Sequence, residues 1–155
     1  MEIRQASAGD ASAACAVIRR SIVELCTLDH KSDAAVLASW LANKTAENVG
    51  SWIANENGAV LVAVEHGVIL GVAAATNAGE ITLNYVSPNA RFRGVSRALL
   101  GALESRIRER GNPRCTLSST ATALRFYVAN GYAEDEVPAT KFGIPSYRMS
   151  KALGR

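Results

Sequence analysis

Three arginines, Arg91, Arg93 and Arg97, surround Gly94 in the stretch VSPNARFRGVSRALLGALESRIRERG, where an amphipathic helix begins. A helix N-terminus already presents unpaired backbone N–H groups and the positive end of the macrodipole, so each added cation costs about 0.3 to 1 kcal/mol there. An anion resolves the conflict. Backbone N–H groups of a loop and first helical turn converge on a single point, and a glycine lets a phosphate approach closely. The alternative is a solvated basic helix start, and one glycine does not decide between them. Two other phosphate loops are excluded: neither G-x-x-x-x-G-K-[ST] nor the spaced glycines of a dinucleotide fingerprint occur.

The elements that would position these residues are legible. Val95, Leu99, Leu103 and Ile107 recur every four residues with Ala98 and Ala102 between them, which predicts a helix stopped by Gly111, Asn112 and Pro113. Glu104 and Arg108 lie off this stripe and are expected to pair at i,i+4. Upstream, EITLNYV from Glu80 to Val86 is rich in β-branched and aromatic residues and predicts a strand ended by Pro88. The order is strand, loop, glycine, helix.

At 155 residues and 48% hydrophobic content the chain reads as one domain, residues 1–155, large enough for a proper core. EIRQA predicts a first strand, and Asp10 is expected to cap a helix burying Ala14, Val17, Ile18, Ile22 and Leu25. A second helix from Ser32 or Asp33 buries Val36, Leu37, Trp40 and Leu41, and a short helix and turn follow around Trp52. AVLVAVEHGVILGVAAA reads as a hairpin turning at Glu65-His66-Gly67. Later come a strand at RCTLSS, a short helix at ATALRFYVANGY and a closing strand at SYRMSKAL. The pattern β-α-α-β-β-β-α-β-α-β, with three consecutive strands, excludes a doubly wound parallel sheet. It predicts an α/β (α+β) fold: a mixed, largely antiparallel central sheet with helices on both faces.

The net charge of +3 is concentrated in the arginines between Arg91 and Arg114, which fits a local anionic ligand better than a nucleic-acid surface. No run approaches 18 apolar residues and the N-terminus lacks a secretory pattern, so a cytoplasmic protein without membrane attachment is expected. Cys15, Cys26 and Cys115 are odd in number and far apart, as suits reduced thiols acting as small core hydrophobes. Neither His30 nor His66 has ligand-like spacing to a second donor, so no metal is expected.

The residues resemble the GNAT superfamily of N-acetyltransferases. Its acetyl-CoA loop, R/Q-x-x-G-x-G/A after a strand and a hydrophobic-x-Pro step, is matched in YVSPNARFRGVS by Arg91, Gly94 and Ser96, and its later F-Y-x-x-x-G-F/Y sequence by Phe126, Tyr127, Gly131 and Tyr132. The resemblance spans Val60 to Tyr132, with Glu2 to Leu25 fitting the family's opening strand and helix. It implies acetyl-CoA as the acyl donor, its pyrophosphate held by the backbone of Arg91, Phe92, Arg93, Gly94, Val95, Ser96 and Arg97. The pantetheine arm would pair with backbone groups of Tyr85 and Val86. Two positions depart from the pattern: Ser96 replaces a glycine or alanine, and Thr120 stands where many relatives have asparagine. Both are expected to tune cofactor affinity.

The implied reaction moves an acetyl group to a primary amine by direct transfer in a ternary complex, with no covalent enzyme intermediate. The attacking amine must be neutral and the departing thiolate must be protonated. Tyr127 matches the acid, since a phenol near pKa 10 keeps its proton until the sulfur is basic enough to take it; its alternative is a packing role. Glu80, eleven residues before Arg91, matches the glutamate base of some relatives; its alternative is a solvated carboxylate. In the family the region from Ile22 to Trp52 walls the acceptor site, here including Cys26, His30, Trp40 and Trp52, although Trp40 shares a face with core residues. Glu24, Asp29 and Glu80 could attract a cationic amine, a small molecule or a peptide, without identifying it. A catalytically silent acyl-CoA sensor and a basic interaction module remain as alternatives, and a homodimer, common in the family, is fixed by no feature of this sequence.

Overall fold

The computed structural model describes residues 1–135 and 137–154. In chain order they form β1 (Glu2–Gln5), α1 (Ala11–Leu25), α2 (Thr27–His30), α3 (Ala34–Leu41), α4 (Ala46–Ala54), β2 (Gly58–Glu65), β3 (Val68–Thr76), β4 (Glu80–Val86), α5 (Val95–Glu109), β5 (Arg114–Ser119), α6 (Leu124–Ala129), β6 (Ala133–Glu134), β7 (Ala139–Lys141) and β8 (Ile144–Ala152). The strands lie in the order β1-β2-β3-β4-β5-β8-β6, with β7 paired to β8. Every pairing is antiparallel except that of β4 with β5.

The centre of the sheet is apolar on both sides, which is why β2 and β3 read as nearly unbroken runs of Val, Ile, Leu and Ala. On one face α5 contributes Val95, Leu99, Leu103 and Ile107 to a core with Leu70, Ala73, Cys115 and Met149. On the other, α1 buries Ala14, Val17, Ile18 and Ile22 against Val60, Val62, Val72 and Leu83, and Trp40 and Val49 bring in α3 and α4. The expected mixed sheet with helices on both faces is the architecture present.

Two irregularities shape the site. The register of β3 against β4 steps from Ala74↔Leu83 to Ala75↔Ile81, so Thr82 is a bulge residue. The bulge reverses the alternation: Ile81 faces the α5 core, whereas Leu83 and Tyr85 face α1. The second is the parallel pairing, confined among the described residues to Glu80↔Thr116 and Ile81↔Leu117. Past that point β4 and β5 separate.

Several local expectations need correction. Asp10 does not cap α1. A 3-10 turn at Ala8–Asp10 precedes the helix, and the Asp10 carboxylate instead accepts from the Ser7 backbone and both terminal nitrogens of Arg4. Glu104 does not pair with Arg108. It points inward, accepting from the Tyr132 hydroxyl at 2.7 Å and from Lys151 at 3.1 Å, while Arg108 donates to the Leu153 carbonyl. A carboxylate that is 9% exposed needs such partners, because burial without them costs far more than a surface pair returns. The short α2 and the strands β6 and β7 were not expected; each is too short to show a period in sequence.

Gly71 on β3 fits close against α5. A Cβ there would lie 2.7 Å from Val95 Cγ1, 2.9 Å from Leu99 Cδ1 and 3.2 Å from the Tyr85 carbonyl. Gly71→Ala is therefore expected to lower stability by about 1 to 3 kcal/mol, the usual range for overpacking. Urea unfolding followed by circular dichroism measures it, and an unchanged midpoint would show that α5 can retreat freely.

Candidate active site at the opening between β4 and β5

A cavity of about 350 Å³ lies between the end of β4, the Arg91–Arg97 loop, the end of α1 and α6. Gly94 is the N-cap of α5, with φ 77° and no side-chain cap, so the first N–H groups of the helix are left for a ligand. A Cβ at Gly94 would meet nothing within 4 Å. Its requirement is the left-handed backbone, which costs a non-glycine residue about 1 to 2 kcal/mol. Phe92 shares that conformation, with φ 63°, and is 93% exposed, its ring covered by the Arg91 guanidinium at 4.6 Å. Left-handed residues in a turn are the kind of backbone from which anion nests are built.

Arg91, Phe92, Gly94, Val95, Ser96 and Arg97 all line the cavity. Arg93 is taken elsewhere: its guanidinium holds both oxygens of Glu65, at 2.7 and 2.9 Å, and keeps that carboxyl below its ordinary pKa. This pair ties the loop to the β2–β3 hairpin. Glu65 lies 28 residues upstream of Arg93, and nothing in the local sequence marks the pairing.

Tyr85 and Val86 line the same cavity at the point where β4 has left β5. Their strand pairs with β3 on one side, as far as Gly71↔Val86. The other edge has no strand against it among the described residues, which leaves backbone groups for an extended ligand. Beside them the Asn84 side-chain oxygen is buried without a hydrogen-bond partner among the described residues. An orphan acceptor in a cavity wall fits a site completed by a ligand donor.

Tyr127 on α6 lines both this cavity and a small opening of about 60 Å³ between the diverging strands. Its ring is wedged edge-on between Phe126 at 5.1 Å and Tyr132 at 5.5 Å, and Tyr132 is itself fixed through Glu104. Burial pushes the Tyr127 phenol up to about 12, an effect that the neighbouring Asn84 side chain partly offsets. The proton therefore stays on Tyr127 beyond the ordinary phenol range. Tyr85, expected to contribute backbone alone, also places its side chain in the opening; its hydroxyl accepts from Trp40 Nε1 at 3.3 Å and burial raises its pKa.

Asp29 has a role that no local signal reveals. Its carboxylate accepts from the backbone N–H groups of Ala121, at 2.6 Å, and Thr122, at 3.2 Å, and from the Thr122 hydroxyl. The contact spans 92 residues and anchors the β5–α6 loop over the cavity. Thr120 lines the cavity from that loop, and its hydroxyl accepts from Ala123 N at 3.1 Å. His30 is buried as well: Nδ1 accepts from Ser32 N, so Nε2 carries the hydrogen and donates to carbonyls at the end of α1. Cys15, Cys26 and Cys115 are free and buried. Cys26 borders the cavity, its thiol pushed up to about 12 by burial.

Glu80 is not in the cavity with Tyr127. It is exposed at the start of β4, opposite in facing to Ile81, and lines a separate depression of about 290 Å³ on the α1 side. The spaces are nonetheless neighbours. Thr82 and Ser118 border this depression, the opening beside Tyr127, and a small pocket floored by Trp40 and Tyr85. Trp40 is thus both core, at 2% exposure, and wall; Trp52 lines a further cavity of about 310 Å³. Glu24 pairs with Arg20 on the surface of α1. Among the described residues no helix is long and apolar enough to cross a membrane, and no three metal-ligating side chains cluster.

Residues 27–153 match the family model described as the acetyltransferase (GNAT) domain. The chain belongs to that family. Among solved structures it is similar to a GCN5-related N-acetyltransferase from Rhodopseudomonas palustris, with 23% identity, TM-score 0.87, and 97% and 94% of the two chains covered. It also resembles a PaiA N-acetyltransferase from Thermoplasma acidophilum in complex with coenzyme A, with 20% identity, TM-score 0.79, and 97% and 98% covered. A ribosomal-protein-alanine N-acetyltransferase from Brucella melitensis aligns at 26% identity, TM-score 0.75, and 98% and 99% covered. No curated protein matches significantly.

The raised phenol yields a sign-definite expectation. Because the folded chain holds the Tyr127 proton more tightly than the unfolded chain, stability contributed by this group is full below pH 10 and is lost as pH rises towards 12. In the tyrosinate absorbance titration, Tyr127→Phe should delete a step near pH 12. Loss of a step near pH 10 instead would show the hydroxyl to be freely solvated.

Proposed function

We propose that the chain transfers an acetyl group from acetyl-CoA to a primary amine, directly and within a ternary complex. The observation that carries this reading is the row of adjoining spaces at the β4–β5 opening: Tyr127 lines both the cavity beside the Arg91–Arg97 loop and the opening between the strands, and Thr82, Tyr85 and Ser118 line that opening and the pocket over Trp40. Donor and acceptor bound in these neighbouring spaces would meet where the strands part. The orphan Asn84 oxygen, the free β4 edge and the uncapped start of α5 fit the polar arm and phosphates of coenzyme A.

Acetyl-CoA supplies the activated acetyl group and a thiolate leaving group. Arg91 and Arg97 with the first N–H groups of α5 bind the phosphates, and Ser96 adds a hydroxyl at the second helical position. Tyr85 and Val86 align the arm along β4. Tyr127 holds its proton at the phenol oxygen for the sulfur. A phenol near 12 yields that proton late, to a fully developed thiolate, and the same desolvated cavity raises the basicity of the sulfur. Glu80, at the rim of the acceptor side, takes the ammonium proton through water. Such a chain acts as one catalytic domain, and its donor and its buried free thiols fit the cytoplasm.

Two outcomes are expected. At 100 times its dissociation constant, acetyl-CoA should stabilise the fold by about 2.7 kcal/mol, read as a thermal shift. The double reversal Arg91→Glu with Arg97→Glu should abolish it, and an unshifted wild type at millimolar acetyl-CoA would remove the donor. Tyr127→Phe should lower kcat by roughly 10²-fold to 10⁴-fold in acceptor-dependent thiol release while the KM for acetyl-CoA moves far less. Turnover within threefold of wild type would make Tyr127 a packing residue, and binding without turnover for any amine would mark a silent sensor.

A further inference from the structure

The acceptor side carries an unusual charge arrangement. Lys44, in the turn between α3 and α4, is 4% exposed. Its ammonium donates to the Trp40 carbonyl at 3.3 Å and to Asn43 Oδ1 at 2.6 Å, and stands 4.9 Å from the centre of the Phe142 ring. That accounts for two of three N–H donors. Lys141, at the end of β7, approaches the same ring at 5.5 Å. Among the described residues neither lysine has a carboxylate partner.

Phe142 is held in place for this. It occupies the β7–β8 turn with φ 56°, followed by Gly143 with φ 80°, a conformation costly for an aromatic residue. Its ring stacks on Trp40 at 6.0 Å with 13° between the planes. The turn thus fixes one aromatic face between two cations. Both lysines border the 310 Å³ cavity, together with Trp52 and the side chains of Asn43, Asn55 and Asn57. Thr82, Lys141 and Phe142 also line the pocket at the strand opening, so the cavity lies beside the point where an acetyl group would be transferred.

Two cations bordering one cavity, with no carboxylate partner among the described residues, repeat on this face the conflict posed by the arginines on the other. We propose that this cavity seats a carboxylate of the acceptor, so that the acetylated amine belongs to a small amino acid or related amino-carboxylate. The inference rests on the acetyltransfer reading and names its substrate class. A polycationic acceptor would meet Lys44, Lys141 and Arg148 against Glu80, the one carboxylate among the described residues in the walls of these spaces. A phosphate dianion would call for a guanidinium fork or a helix start, as at Gly94, and the lysine cavity has neither. One buried ammonium, one exposed ammonium and neutral amides suit a single negative charge. Burial, and secondarily Lys141, lowers Lys44 to about 8, and an adjacent carboxylate would act in the opposite direction by favouring the charged ammonium.

The test uses matched sets: the natural amino acids, their carboxamides, the corresponding decarboxylated amines, and phosphoethanolamine. Thermal shift with coenzyme A present reads binding, and acetyl-CoA-dependent thiol release reads transfer. One or more amino acids should bind and react about tenfold to a hundredfold better in kcat/KM than their carboxamides, the range for a charge-assisted hydrogen bond, with the difference in KM rather than kcat. Lys44→Met should collapse the preference and Lys44→Arg should restore part of it. Lys141→Gln, at an exposed position, should weaken it without endangering the fold. Equal or better use of carboxamides or decarboxylated amines overturns the carboxylate seat while leaving acetyltransfer intact, and preference for phosphoethanolamine overturns it equally. Carboxylate-specific stabilisation with no thiol release supports the seat and sinks the transfer reading instead.

Discussion

Parallel strands β4 and β5 share hydrogen bonds over two residue pairs and then part, and the candidate site is a consequence of that incomplete pairing. A backbone edge left unpaired inside a protein is costly unless something supplies the missing partners. Here the edge faces a cavity instead of a neighbouring strand, so its pairing capacity is open to a ligand. The Thr82 bulge adds direction, because it turns Tyr85 towards α1 while Ile81 stays in the α5 core. One split and one extra residue thereby give the sheet two accessible faces at the same point.

Holding such a split open requires bracing on each side, and the braces are polar contacts between distant segments. Asp29 fixes the loop after β5, the Arg93–Glu65 pair fixes the loop after β4, and Glu104 with Lys151 and Tyr132 fixes the aromatic wedge around Tyr127. Gly71 allows α5 close enough to the sheet for its N-terminus to point at the cavity. Deep burial also acts on Tyr127 itself, since the packing that orients its ring is the same packing that raises its pKa.

The strand-loop-glycine-helix unit was legible because its signals are local: a glycine, flanking arginines, an apolar stripe at helical spacing and a β-branched run all fall within Glu80–Gly111. The same locality explains the misreadings. Arg93 looks identical in type to Arg91 and Arg97, and its removal to Glu65 depends on how a hairpin docks. Glu104 reads as a surface partner of Arg108 until Tyr132 and Lys151 arrive from other strands. The region around Trp40 was least legible. Strands β6 and β7, of two and three residues, are held by pairing with β8, and Lys44 and Phe142 meet from distant parts of the chain. Glu80 was picked by its offset from Arg91, a measure that carries no information about the bulge between it and Tyr85.

The central claim is that the unpaired β4 edge and the start of α5 together receive the acyl donor. Amide hydrogen exchange read by mass spectrometry, with and without coenzyme A, addresses it most directly. The account predicts slowed exchange concentrated in peptides covering Asn84–Val86 and Gly94–Arg97, with little change in β1, β2 or the far end of α5. Protection spread evenly over the chain, or protection that spares both segments, would contradict it.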